Sequence, residues 1–349
     1  MLIFYQKIMI KKKIIYKCAI FGIGTQTLNF HIKAIESFSN VKLVSVIEKN
    51  KNKLNNFLKN NKNIKGYSNF NDFIKNNKDI NFIIISTSHD SHYEISKRAI
   101  LEGLHILKEK PFTTSLKQGK EIEKIARKKH IRILTVTQRK FHPAYFKFFK
   151  LINRIGRIFY VDIKYTLFTK KQSEKWRDST KLAGGGCIID MGYHMIDLLI
   201  WYFGLPNSII TKMSRNGKEN TTYNTEDTAK IIFNYKKNNN KFWGSALISK
   251  VISPKQEYFN IYGTKGNICI GRGKIELFSP DGKLKKSFIG EDNWLSSYKK
   301  QLEYFLKIIE EKKFINNPKF HLNHMAFIES AYASNKQNIY INPKKYGKR

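Results

Sequence analysis

The first third of the chain alternates short apolar, β-branched runs with longer segments in which apolar residues recur at helical spacing. This alternation is typical of strand-helix-strand units in a parallel sheet. Because right-handed crossovers join successive parallel strands, a ligand is expected at the carboxyl ends of the strands, where their order reverses. We predict strands at 14–21, 41–48, 80–86, 105–108 and 131–136. We also predict three helices: one follows the first strand and has Leu28, Ile32 and Ile35 on one face, and the others lie at 93–102 and 115–129.

After about residue 140 the pattern changes to consecutive strands joined by turn signals such as GTKGN and SPDGK. Such a run indicates a second domain of α+β type with a mostly antiparallel open sheet. The expected organisation is an extension at 1–13, a doubly wound parallel-sheet domain at 14–138 and the α+β domain at 139–349. The second domain is predicted to contain helices at 143–153, 190–203, 295–313 and 321–336, and strands at 157–168, 208–214, 227–236, 242–251, 256–263, 266–270, 274–278 and 284–289.

Composition favours a folded protein of two domains, since 349 residues with 41% hydrophobic and 13% aromatic content can bury two cores. The formal net charge of +37 is spread along the chain, apart from KKK at 11–13. This spread favours a generally cationic surface over a specific nucleic-acid site, and such a surface favours anionic substrates. The three cysteines form no CxxC pair, so neither a metal site nor a disulfide framework is expected.

The N-terminal segment MLIFYQKIMI is about half as long as a membrane span, and its lysines follow the apolar stretch. A signal peptide is therefore not expected, and Met9 offers an alternative start. We predict a cytoplasmic protein without a membrane partner.

The first predicted strand ends in a glycine turn, Gly22-Ile23-Gly24-Thr25-Gln26-Thr27, which is followed by a helix. The turn either binds the diphosphate of a dinucleotide or is only a tight corner, because Thr27 replaces the third glycine of the fingerprint. Glu48 ends the next strand, 21 residues beyond Thr27 (48 minus 27), where a carboxylate can bind the adenosine ribose. NAD is favoured over NADP, although Lys49 keeps NADP as the alternative. The predicted cofactor residues here are Gly22, Gly24, Thr25, Gln26 and Glu48.

Several stretches occur in the order typical of one known family: AIFGIG, STSHDSHYE, AILEGLHILKEKPF, WRDSTKLAGGGCIIDMGYHMIDLLIWYFGLP and the closing INP. Over residues 14–343 the chain resembles the glucose-fructose oxidoreductase, inositol dehydrogenase and MocA family. The resemblance implies a Rossmann domain joined to an α/β domain whose open sheet often makes oligomers, here a homodimer or homotetramer. It also implies a pyridine nucleotide as cofactor and a sugar, cyclitol or sugar derivative as substrate.

The resemblance assigns three catalytic residues, Lys110 of Glu109-Lys110-Pro111, Asp190 and His194. Independently, Asp190 and His194 are four residues apart and share a helix face, with Asp197 a turn away. A carboxylate there can orient and stabilise an imidazolium. With an unperturbed pKa of about 6.5, His194 suits the base that takes the hydroxyl proton. Lys110 would donate to the same oxygen.

Further site residues follow from position and from the resemblance. Ser86, Thr87 and His89 lie at the end of the predicted strand at 80–86, and His92 matches a family histidine. The alternative for these residues is a helix start capped by Asp90 or Ser91. Arg177 suits a carboxylate or phosphate, and Gly184 to Gly186 would bring backbone close to substrate. Predicted cofactor contacts are Ser86, Thr87, His89, His92, Glu109 and Lys110. Predicted substrate contacts are Lys110, Trp176, Arg177, Asp190, Tyr193 and His194, with Lys181 as a further pocket residue.

The expected function is an NAD(P)-dependent oxidoreductase that interconverts a secondary hydroxyl and a ketone on a sugar, cyclitol or nucleotide sugar. One alternative keeps the fold and is an NAD-dependent glycosidase that acts by transient oxidation and elimination. Another is a non-catalytic nucleotide-sensing or nucleic-acid-binding protein, which the net charge suggests. The expected partner is a small sugar-like substrate, either neutral or anionic. A specific nucleic-acid partner is not expected.

Overall fold

The computed structural model describes residues 14–169, 175–219, 222–237, 240–290, 293–311 and 317–346. The predicted extension at 1–13 lies outside the described residues. Two sheets with their helices form the chain, the first parallel and the second mostly antiparallel. The predicted fold class is confirmed.

Six parallel strands form the first sheet within the described ranges, in the order third, second, first, fourth, fifth, sixth along the chain. The order reverses beside the first strand, which has the second strand on one side and the fourth on the other. A short third strand was not predicted. The strands are β1 (Tyr16–Phe21), β2 (Val41–Ile47), β3 (Lys65–Tyr67), β4 (Phe82–Ile85), β5 (His105–Lys108) and β6 (Ile133–Thr135).

The first connection begins with a π-helical turn, Thr27–His31, before α1 (Ile32–Glu36). The prediction that Leu28, Ile32 and Ile35 share one helix face was wrong for Leu28, which is 45% exposed whereas Ile35 is 3% exposed. A π-turn has i to i+5 hydrogen bonds and is wider than an α-turn, so it rotates Leu28 off that face. The other helices of this domain are α2 (Lys51–Lys59), α3 (Phe70–Asn76), α4 (Ser91–Leu101) and α5 (Leu116–Lys128).

The second sheet has eight strands in the described part of the chain. Its fifth and sixth strands in spatial order are parallel to each other, and its other neighbouring pairs are antiparallel. In spatial order the strands are β14 (Leu284–Ile289), β13 (Lys274–Phe278), β12 (Gly266–Gly271), β11 (Val251–Gly263), β7 (Ile158–Phe168), β10 (Asn240–Ser249), β9 (Thr228–Lys237) and β8 (Ser208–Ser214).

Two predicted helices of the second domain are less regular than expected. The helix predicted at 143–153 is broken into α6 (Pro143–Phe146), α7 (Phe148–Leu151) and a 3₁₀ turn, and the helix predicted at 190–203 starts with a π-helical turn, Ile188–Gly192. None of the helices described is long and apolar enough to cross a membrane. The remaining helices are α8 (Thr180–Ala183), α9 (Tyr193–Phe203), α10 (Trp294–Glu310), α11 (Asn317–Gln337) and α12 (Pro343–Tyr346).

Helix α10 returns to the first sheet, although it comes from the C-terminal part of the chain. The Phe305 ring packs edge-on against Phe82 of β4 at 5.3 Å between centroids. The Tyr16 hydroxyl donates to Glu310 Oε1 at 2.6 Å. A late segment of the chain therefore completes the core of the first domain.

Candidate active site

A cleft of about 1030 Å³ lies between the carboxyl edge of the first sheet and the second domain. Phe21 and Ile47, the last residues of β1 and β2, contribute to its floor. The predicted site residues that line the cleft are Gly22, Gly24, Thr25, Gln26, Glu48, Ser86, Thr87, His89, Glu109, Lys110, Trp176, Arg177, Asp190 and His194.

The glycine turn needs its first glycine for two reasons. Gly22 has φ of +89°, a left-handed conformation, and a Cβ there would lie 2.5 Å from the Ser86 carbonyl oxygen. Thr27, in place of the third glycine, is fully buried and donates from Oγ1 to the Gly22 carbonyl at 2.7 Å. The substitution thus closes the turn with a hydrogen bond. The N–H groups of Thr25 and Gln26, at the start of the helix, have no intrahelical acceptor and face a cleft that could hold a diphosphate.

Glu48 is held beside this turn. Its carboxylate accepts the Ile23 N–H and the Asn50 N–H, each at 3.0 Å. Lys53 Nζ lies 3.8 Å from Glu48 Oε2, and Lys49 also lines the cleft. The position is suited to a ribose, with two lysines at its edge.

Lys110 and Asp190 meet across the cleft, one from each domain. Lys110 Nζ donates to Asp190 Oδ1 and also to the Asp190 carbonyl, at 3.1 Å. Arg177 Nε donates to Asp190 Oδ2 at 3.2 Å. Burial raises the pKa of Asp190, but Lys110 and Arg177 outweigh it and hold that pKa well below its usual range. Asp190 is therefore an anion that joins two cations, and its side-chain partners among the described residues are these rather than His194.

His194 is half-buried on the cleft wall, at the start of α9. Burial lowers the pKa of His194 well below 6.5, and the positive charges of Arg139 and Lys110 add to this. The imidazole is therefore neutral at pH 7 and can accept a proton. A neutral base beside a lysine is what removal of a proton from a hydroxyl group requires.

His89 lines the cleft and has a defined tautomer. Its Nδ1 lies 2.9 Å from the Ala183 carbonyl, so Nδ1 carries the proton and Nε2 is unprotonated. Burial and the neighbouring Lys110 lower the pKa of His89 to about 3. Its ring packs against Trp176, with 4.5 Å between centroids.

His92 does not line the cleft, contrary to the prediction of a cofactor contact. It is fully buried, with Nδ1 3.1 Å from the Pro111 carbonyl and Nε2 3.2 Å from the Thr87 carbonyl. It therefore fixes the backbone that follows Lys110. The alternative, a helix start capped by Asp90 or Ser91, is not seen at Asp90, because this N-cap side chain of α4 makes no capping hydrogen bond.

Tyr193 also lies outside the cleft. It is fully buried; its hydroxyl is 3.1 Å from His321 Nδ1 and accepts the Phe112 N–H at 3.4 Å. Adjacent residues of a helix point in directions about 100° apart, and Tyr193 points away from His194 into the core, where its ring packs against His324 of α11. The predicted pocket residue Lys181 is likewise not among the residues that line the cleft.

Asp197 belongs to a second cluster in the core. Its carboxylate accepts from Lys140 Nζ at 2.7 Å and from His324 Nε2 at 2.8 Å. Ligand atoms of Asp197, His321 and His324 lie within 4.8 Å of one another, a spacing compatible with a metal. Here the ammonium of Lys140 already supplies the positive charge.

The glycine corner Gly184 to Gly186 is explained by protein contacts. A Cβ on Gly185 would lie 1.9 Å from the Tyr332 hydroxyl, and one on Gly186 would lie 1.9 Å from the Glu226 carbonyl. The Glu226 carboxylate accepts the Gly186 N–H at 2.7 Å. Gly185 and Gly186 line the cleft, but their lack of a side chain is required by these neighbours.

Lys250 and Gln138 are among the cleft residues that the sequence did not predict. Neither lies in a motif, and one lysine carries no signal in a chain with 64 lysines and arginines.

Comparison with known proteins identifies both halves of the chain. Residues 16–138 match the model described as "Oxidoreductase family, NAD-binding Rossmann fold", and residues 152–269 match the GFO/IDH/MocA C-terminal domain. An uncharacterised oxidoreductase of Schizosaccharomyces pombe is 25% identical over 258 residues, which cover 72% of this chain and 69% of that protein. The scyllo-inositol 2-dehydrogenase (NADP(+)) IolW of Bacillus subtilis is 24% identical over 194 residues, about half of each protein (54% and 53%).

Solved structures share the fold over nearly the whole chain. Levoglucosan dehydrogenase, in complex with NADH and levoglucosan, has a TM-score of 0.81 at 16% identity and covers 94% of this chain and 99% of that one. The WlbA dehydrogenase of Bordetella pertussis, in complex with NADH and UDP-GlcNAcA, has a TM-score of 0.77 at 19% identity and covers 94% and 98%.

Proposed function

The chain belongs to the GFO/IDH/MocA family of oxidoreductases and contains an NAD-binding Rossmann domain, and from this premise we propose that it interconverts a secondary hydroxyl and a ketone on a sugar, cyclitol or nucleotide sugar. The observation that carries the proposal is the meeting of Lys110, from the first domain, with Asp190 and His194, from the second, at one cleft. The substrate class is supported by neighbours of the same fold crystallised with levoglucosan and with UDP-GlcNAcA.

NAD, when bound, supplies the hydride acceptor. We assign its diphosphate to the glycine turn and its adenosine ribose to Glu48, because the first N–H groups of the helix and an anchored carboxylate line that end of the cleft. Lys49 and Lys53 at the same edge would suit a 2′-phosphate. NADP therefore stays the alternative cofactor.

Oxidation of the alcohol also requires removal of the hydroxyl proton. His194 is assigned as the base, since its lowered pKa keeps it neutral, and Lys110 as the donor that stabilises negative charge developing on the same oxygen. Asp190 orients Lys110 through its carboxylate. The C–H electron pair leaves as hydride, the O–H proton moves to His194, and a carbonyl remains.

We also propose that copies of the chain associate through the second sheet. One face carries the rings of Tyr160, Trp243 and Tyr262, with 4.7 Å between the first two centroids, and Trp243 is 50% exposed. Exposed aromatic rings of this kind are enriched at interfaces. Sedimentation of the wild type and of Trp243→Glu would test this, with loss of the oligomer in the variant as the expected result.

The main test is Lys110→Ala with a panel of sugars, cyclitols and nucleotide sugars. The wild type should reduce NAD in proportion to substrate consumed. The variant should bind NAD normally but turn over on the order of 10²- to 10³-fold more slowly. Unchanged turnover would contradict the role of Lys110, and product release without net reduction of NAD would instead support the glycosidase alternative.

A further inference from the structure

Lys250 is a buried cation on the cleft wall that the proposed reaction does not use. It lies at the bend between β10 and β11 and is 8% exposed. Its Nζ donates to Thr225 Oγ1 at 3.2 Å and lies 4.7 Å from the centre of the Tyr223 ring. Among the residues that the structure describes, no carboxylate forms an ion pair with this ammonium.

The hydrogen bonds around Lys250 are incomplete. The Thr225 hydroxyl accepts from Lys250 and donates to the Arg177 carbonyl at 3.2 Å, so its proton is already used. An ammonium has three donors, and two of those of Lys250 have no acceptor in the described part of the chain. A buried charge is costly unless it is paired and hydrogen-bonded. Consistent with this, burial lowers the pKa of Lys250.

Three cations, Lys110, Arg177 and Lys250, line this end of the cleft. Lys110 and Arg177 both pair with Asp190. The carboxylates of Asp178, Glu226 and Asp190 oppose the effect of burial on the pKa of Lys250, but none of them accepts a hydrogen bond from its ammonium among the described residues. His89 and His194, on the same wall, are neutral because burial lowers the pKa of each. Two donors of the Lys250 ammonium are therefore available to a ligand in the cleft.

We infer that Lys250 binds an anionic group of the substrate, either a carboxylate or a phosphate, so that the preferred substrate is an acidic sugar or cyclitol derivative. Such a group supplies acceptors for the two remaining donors and carries a charge opposite to that of the ammonium. The inference rests on the proposed function, because it takes the reacting carbon to lie at Lys110 and His194. Lys250 acts as a specificity residue and takes no part in proton or hydride transfer.

The test compares Lys250→Met with Lys255→Met, which removes the same charge from an exposed residue of β11 outside the cleft. The probes are D-glucuronate, D-glucose 6-phosphate and uncharged D-glucose, each with NAD in excess. For the acidic probe preferred by the wild type, Lys250→Met should raise KM about tenfold or more, equivalent to about 1.4 kcal/mol, and leave kcat nearly unchanged. D-glucose should be affected by neither variant, and Lys250→Arg should restore part of the lost affinity.

Equal KM for acidic and neutral probes in the wild type, or the same loss in Lys255→Met, would overturn the inference. Melting temperatures establish that each variant is folded, and Lys250→Gln replaces Lys250→Met if the latter does not fold. Calorimetric binding of D-glucuronate and D-glucose 6-phosphate to the NADH-loaded protein requires no turnover. If an acid binds the wild type but not the variant and no compound reduces NAD, the inference stands and the proposed function fails. If D-glucose is oxidised and neither acid binds, the proposed function stands and the inference fails.

Discussion

Two lysine–aspartate pairs join the same helical segment to the first half of the chain, and they lie in different surroundings. Asp190 pairs with Lys110 at the cleft, where the two side chains are 27% and 14% exposed. Asp197, seven residues on, pairs with Lys140 in the core, where the carboxylate is 1% exposed. Each aspartate has one further partner, Arg177 in the cleft and His324 in the core.

The comparison shows that the same ionic contact serves different purposes according to what surrounds it. In the cleft, Lys110 lies beside open space in which a substrate oxygen can accept from it. In the core, the side chains of Asp197 and His324 are 1% and 0% exposed, and the contacts among Asp197, His324 and Lys140 hold α9, α11 and the start of the second domain together. We therefore expect substitutions at the cleft to affect the reaction, and substitutions in the core to affect stability.

The largest expected effect is that of His194→Asn, which removes the base on the cleft side of α9. Turnover should fall by about 10²- to 10⁴-fold, because the substrate proton has no positioned acceptor. The melting temperature and NAD affinity should stay close to those of the wild type. Steady-state kinetics and fluorescence titration with NADH measure the two effects, and a matching loss of thermal stability would contradict the proposed role.

Next in size is the loss of stability in Asp197→Ala. Removal of one partner from a buried ion pair leaves Lys140 without its counter-charge, and the free energy of unfolding should fall by about 3–5 kcal/mol. Urea unfolding measures this. Asp190→Ala is the matched control. Its pair is partly exposed, so the substitution should cost less stability than Asp197→Ala while turnover falls. Equal destabilisation by the two substitutions would remove the distinction between the pairs.

The smallest effect concerns pH. Burial lowers the pKa of both His321 and His324, so the folded state resists protonation that the unfolded state accepts near pH 6.5. The unfolded state then binds more protons, and stability should fall by up to about 1.4 kcal/mol per pH unit for each buried histidine below pH 6.5. His194 also has a lowered pKa, so kcat/KM should keep its plateau below pH 6.5.

Unfolding curves and kinetics between pH 5 and 7.5 measure the two pH profiles. His324→Asn is the control and should show a shallower loss of stability. An activity that titrates near pH 6.5 would contradict the assigned state of His194.

Much of the fold could be predicted because local patterns and tertiary structure agree. The strands Ser208–Ser214, Lys274–Phe278 and Leu284–Ile289 occur where alternation and turn residues predict them. The short β3 was missed because three residues are too few for a periodic signal. The π-turn at Thr27–His31 was missed because helical spacing in the sequence does not distinguish a π-turn from an α-turn.

The candidate site also contains some residues that the local sequence predicts and others that it does not. Lys110, Asp190 and His194 lie in recognisable motifs, and all three line the cleft. Asp197 lies about one helical turn beyond His194, which is the spacing expected of a cleft residue. Its partners, Lys140 and His324, are distant in sequence, so local spacing could not predict them. Lys250 depends entirely on tertiary structure, since only the folded chain brings it to the cleft.

Helix α10 makes the nucleotide-binding half discontinuous in sequence. Phe305 and Leu302 pack on one side of a sheet whose last strand ends at Thr135, 167 residues before Leu302 (302 minus 135). A fragment that stops at the end of β6 would expose that apolar side to water. Transfer of this domain to another protein would therefore require two separate segments, β1 to β6 and α10. A circular permutant that places α10 ahead of β1 would join them into one continuous segment.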